Sequence, residues 1–143
     1  GRKLPLDGGK VMREYLAEMR DLAASHADNP QMAEYITPFR DALARLEDAF
    51  EWLMQAAADD PNAPGASAND FLRLMGLTGL AQMWVGAAAT SLPKVQSDNS
   101  GFYAAKLTTA RYFMARLLPQ SVSLLATIKA GSETMMELDA EAF

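Results

Sequence analysis

The chain has 143 residues, half of them hydrophobic, with a net charge of −5 and no cysteine. That length holds one domain with a sizeable core and excludes two comfortable ones. The missing cysteines exclude disulfides, thiolate nucleophiles, zinc fingers and iron–sulfur clusters, and fit a cytoplasmic protein. The acidic balance, with thirteen basic residues read as scattered among eighteen acidic ones, argues against nucleic acid or an anionic membrane surface as partners.

Gly1–Gly9 carries no initiator Met, and Pro5 followed by Asp7-Gly8-Gly9 reads as a stop and a turn into the next helix. The expectation is a junction, residues 1–9, leaving an upstream structured region that is missing, with a helical domain over 10–143. Apolar periodicity predicts four helical segments. The first spans Lys10 to Ala27, with Met12, Tyr15, Leu16, Met19, Leu22 and Ala23 on one face; Asn29-Pro30 closes it. The second spans Gln31 to Ala58, with a stripe at Phe39, Leu43, Leu46, Phe50, Leu53 and Ala57, close to a bundle seam. Pro38 starts its main part or kinks it, and Asp59–Gly65 reads as a loop.

The third segment, Asn69 to Thr90, has no charge between Arg73 and Lys94. Gly76, Thr78, Gly79, Gln82 and Gly86 dilute it too much for a membrane span, and aromatic and basic anchors are lacking at its ends. The expectation is a central helix, apolar all round and buried on several sides, whose glycines let neighbours approach closely. Ser67 and Asp70 suggest a capping box at its start. The fourth segment runs from Ser100 to Ala130, and Pro119 should kink it by freeing the carbonyl of Ala115. Gly131 is the expected C-cap, followed by a short helical tail, Ser132–Leu138. No strand pattern competes. The fold predicted is an all-α antiparallel four-helix bundle with up-down topology.

The chemical inventory is mostly one of exclusions. The single histidine, His26, falls at the first helix's C-terminus, where the dipole favours it, and Ala23 stands where a di-iron Glu-x-x-His motif needs Glu. No Gly-x-Ser-x-Gly elbow occurs, and Gly76-x-x-Gly79 is mid-helix, so it cannot cradle phosphate. Asp59/Asp60 and Glu47/Asp48 read as solvated pairs. Arg111 and Arg116 are expected to seek a carboxylate, with Asp70 or Glu47 as partners. Trp52, Trp84, Phe39, Tyr112 and Phe143 serve either core or interface. The acidic tail with Glu133, Glu137, Asp139 and Glu141 is expected to dock back on the bundle through Met135, Met136 and Leu138. No residue is assigned a catalytic, cofactor-binding or metal-ligating role.

Three stretches carry a resemblance. Gly1–Gly9 resembles the junction beyond the catalytic region of long-form acyl-CoA dehydrogenases, the 3-methylmercaptopropionyl-CoA dehydrogenase type. Phe71-Leu72-Arg73-Leu74-Met75-Gly76 is similar to that family's Tyr/Phe-Leu-Arg-Leu-Phe-Gly. Lys106-Leu107-Thr108-Thr109-Ala110-Arg111-Tyr112-Phe113 with Leu117-Leu118-Pro119-Gln120 is similar to its Lys-x-x-Thr-Ala-Arg-Phe-Tyr…Leu-Leu-Pro-Gln pattern. Phe143 lies near the family's usual end.

The resemblance implies a parent enzyme in which FAD oxidises an acyl-CoA across Cα–Cβ while a glutamate removes the α-proton. That glutamate lies in a Tyr-Glu-Gly-Thr-like stretch, which this sequence lacks, and the FAD and CoA segments are upstream. The chain would then be a non-catalytic C-terminal module, itself binding no cofactor, that packs on the catalytic body of its own chain and supports a homo-oligomer. The alternative is an independent helical protein-binding module. DNA binding, suggested by a repair-associated branch of the superfamily, conflicts with the net charge.

Overall fold

The computed structural model describes residues 6–142. Asp7, Gly8 and Gly9 adopt left-handed conformations (φ 51°, 63° and 77°) and turn the chain into α1, Lys10–Ser25. Its buried face is Met12, Leu16, Met19 and Ala23, and His26 occupies the C-cap position. Asn29 then accepts the amide of Gln31 and caps the tight turn Pro30–Met32, from which α2, Ala33–Asp59, continues with Pro38 inside it. The apolar stripe of α2 is buried from Tyr35 to Leu53 and broadened by Ile36, Ala42 and Ala49; Ala57 lies beyond the core and is exposed. The segment expected as a plain loop contains one helical turn, α3, Ala63–Ala66.

The third long helix, α4, is Ala68–Ser91. Ser67 precedes it without capping it. The buried hydroxyl instead donates to the carbonyl of Ile128, in the last turn of another helix, at 3.1 Å, beside the Gly131 amide that the same carbonyl accepts at 3.3 Å. The fourth segment is split. Helix α5, Phe102–Tyr112, passes into a wide turn, Phe113–Leu117, and resumes as α6, Gln120–Lys129. In that turn the Leu118 amide donates to the carbonyl of Phe113, five residues back, at 3.0 Å. The next residue, Pro119, has no N–H to continue the regular ladder. Gly131 (φ 72°) ends α6 as expected, and Glu133–Met136 forms the single turn α7.

Side-chain pairings give the helix directions. Arg13 meets Glu51 and Arg20 meets Glu47, so α1 and α2 run antiparallel. Glu34 pairs with Arg111 and Asp48 with Lys129, so α2 and the α5–α6 segment run together. Ser67 joins Ile128 while Trp84 packs on Phe113, which turns α4 the other way. The result is an all-α up-down bundle, with no strand among the described residues. Its centre holds Met19, Tyr35, Phe39, Leu46, Phe50 and Leu74, each fully buried. No described helix is long and apolar enough to cross a membrane.

Candidate functional site

Helix α4 is not buried all round. Its inward stripe is Phe71, Leu74, Thr78, Ala81, Val85 and Ala88, at intervals of three and four residues. The opposite face is apolar too, yet uncovered: Leu72 is 61% and Met83 71% exposed, with Gly76 and Gly86 between and beyond them. A Cβ added at Gly76 or Gly86 would meet no atom within 4 Å, so these glycines do not accommodate a neighbour within the domain. Gly79 does: a Cβ there would lie 3.2 Å from the Tyr15 hydroxyl.

That approach forms the floor of an open groove between the first halves of α1 and α4, about 500 Å³ in volume. Val11, Met12 and Tyr15 form one wall, and Leu72, Met75 and Gly76 the other. Tyr15 donates to Gln82 Oε1 at 3.4 Å, and burial holds its hydroxyl pKa above the ordinary value, with Glu18 adding to it. The groove suits an apolar side chain and gives a flavin nothing to hold its pyrophosphate. None of the lining side chains is cationic.

On the other flank of α4 the surface changes character. Arg73, Leu77, Leu80 and Trp84 share one face, and Trp84 meets Phe113, at the start of the wide turn after α5, with ring centroids 6.5 Å apart. The Lys106 ammonium lies 6.0 Å from the Trp84 ring and 5.3 Å from that of Phe102, while Lys94 sits 5.2 Å from Tyr103. The basic residues are therefore segregated rather than scattered. Between Phe71 and Ala130 lie Arg73, Lys94, Lys106, Arg111, Arg116 and Lys129, against the single acid Asp98. Asp98 is spent on capping α5: it accepts the Ser100 amide at 2.9 Å and the Tyr103 amide at 3.1 Å. The Ser100 hydroxyl, these amides and Phe102's hold its carboxyl below the ordinary pKa.

Arg111 and Arg116 are both exposed. Arg111 pairs with Glu34 (3.5 Å) and donates to the Tyr35 hydroxyl, not to Asp70 or Glu47. Glu47 and Asp48 carry ion pairs to Arg20 and Lys129. Asp60 accepts the Ser132 hydroxyl at 2.5 Å and the Asn62 amide, which together lower its pKa and pin the start of the tail. Beyond that pin the tail is undocked: Met135, Met136 and Leu138 are 67%, 62% and 59% exposed. Of the five aromatics left between core and interface, Phe39 is core, Trp52 and Trp84 are half-buried, and Tyr112 is exposed; Phe143 lies outside the described residues. Among the described residues no three His, Asp or Glu side chains gather to hold a metal.

The family described as "Acetyl-CoA dehydrogenase C-terminal like" matches residues 15–139. The chain belongs to that family, and the bundle is its acyl-CoA dehydrogenase-like C-terminal domain. No curated protein matches the sequence.

Proposed function

We propose that the chain is a non-catalytic module of an FAD-dependent acyl-CoA dehydrogenase of the 3-methylmercaptopropionyl-CoA type. In this reading it packs on the catalytic body and supports self-association of the enzyme. The observation that carries it is the uncovered apolar face of α4 with the α1–α4 groove beside it, an opening a neighbouring protein surface would fill. The family membership supplies the kind of neighbour. FAD, in this reading, is bound by the catalytic body. The family membership is what favours this reading over an independent helical binding module.

The test is to capture the endogenous protein with an antibody raised against this chain, then record its intact mass and visible spectrum. The expected result is a mass several times 15.5 kDa with flavin absorbance. A colourless protein of 15.5 kDa overturns the reading, as would a yellow, active preparation of residues 1–143 alone.

A further inference from the structure

The tail and the α4–α5 surface are complementary in two independent respects. The tail carries Glu133, Glu137, Asp139 and Glu141, with no Lys or Arg after Lys129. It also exposes Met135, Met136 and Leu138, so it offers a partner both negative charge and apolar surface. The α4–α5 face offers the converse. Lys94 and Lys106 have no carboxylate partner among the described ion pairs; beside them Phe102 is 55% exposed, and Leu80, further along α4, is 49% exposed. Lys94 and Lys106 lie over aromatic rings, which fixes their ammonium groups near an apolar floor.

The two surfaces sit at opposite ends of the bundle. The tail leaves beside Asp60, at the end of α2, whereas Lys94 and Phe102 flank the turn after α4. Helix α4, with 24 residues, separates them by about 36 Å. A second copy laid antiparallel brings each tail to the other's basic end, and the two-fold arrangement closes on itself with both contacts made. We propose that the acidic tail of one copy docks on the Lys94–Lys106 face of a second copy, reciprocally, to form a dimer. The proposal gives residues to the self-association named above and rests on that part of the reading alone; the flavin test can fail without touching it.

The experiment is sedimentation of the 143-residue chain with two charge-reversed variants, each checked for helicity by circular dichroism. The first carries Glu133→Lys, Glu137→Lys and Asp139→Lys; the second carries Lys94→Glu and Lys106→Glu. The unaltered chain should sediment at twice 15.5 kDa in low salt and dissociate towards 1 M salt, where charges are screened beyond about 3 Å. Each variant alone should be monomeric, because its tail and face then share one sign. Their equimolar mixture should recover the dimer, since the reversed tail of one fits the reversed face of the other. An unaltered chain that stays monomeric, a mixture no heavier than its components, or a dimer indifferent to both reversals would overturn the proposal. The last result would move the interface to the α1–α4 groove.

Discussion

Helices α2 and α4 lie side by side in the core, are of similar length, and differ in what they leave outside. Helix α2 is amphipathic: its apolar stripe is buried, and its polar face pairs through Glu34, Glu47, Asp48 and Glu51 with cations on α1, α5 and α6. Helix α4 has an apolar stripe on both sides and no charge between Arg73 and Lys94. One stripe is packed and the other is bare. The pattern of α2 is complete within the domain; that of α4 makes sense with a second layer of protein outside it.

The comparison can be broken first in the core. Phe50→Ala in α2 should cost about 3–5 kcal/mol and Leu74→Ala in the packed stripe of α4 about 2–5 kcal/mol, read by urea unfolding. Equal sensitivity of the bare stripe would abolish the distinction. Next, Gly76→Ala should stabilise the isolated chain by about 0.5–1 kcal/mol, because the new methyl meets nothing and helix propensity rises. Gly79→Ala should gain less or lose, as its methyl presses on the Tyr15 hydroxyl. Removing an exposed ion pair of α2, Arg20→Ala, should cost about 0.2–1 kcal/mol. Leu72→Ser and Met83→Ser should shift stability by less than about 0.5 kcal/mol while raising the chain's solubility.

The smallest effect depends on pH. Asp98 has its carboxyl pKa lowered by folding, so its contribution is complete above the ordinary carboxylate pKa and is lost as pH falls through the depressed folded value. Acid should therefore lower the melting temperature of the native chain more than that of Asp98→Asn. Identical acid profiles for the two would remove Asp98 from the account of α5's start.

Much of this architecture is legible in the residues. The helix bounds fall within a few positions of the structure because apolar spacing, Asn29-Pro30 and Gly131 are local signals. What is not legible depends on who the neighbour is. Ser67 has the right identity and position for a cap, yet the carbonyl of Ile128, sixty-one residues on, takes its hydroxyl. Periodicity identifies α4 as apolar all round but cannot say how many sides the domain covers, and only its three-dimensional packing shows Gly76 and Gly86 open to solvent. Arg111 finds Glu34 because α2 runs alongside α5, which no count of arginines specifies. The segregation of basic residues after Phe71 was available from a tally by segment; a whole-chain net charge conceals it.

The two tryptophans divide the molecule's ends between them. Trp84 lies under Lys106 on the basic face, and Trp52 lies 3.9 Å from the position a Cβ would take on Gly131, where the tail departs. With Trp52→Phe the remaining indole emission reports what settles on the α4–α5 surface, and with Trp84→Phe it reports whether the tail stays fastened beside Asp60. The fold thus carries an optical probe at each end, and either can be followed in real time without attaching a label.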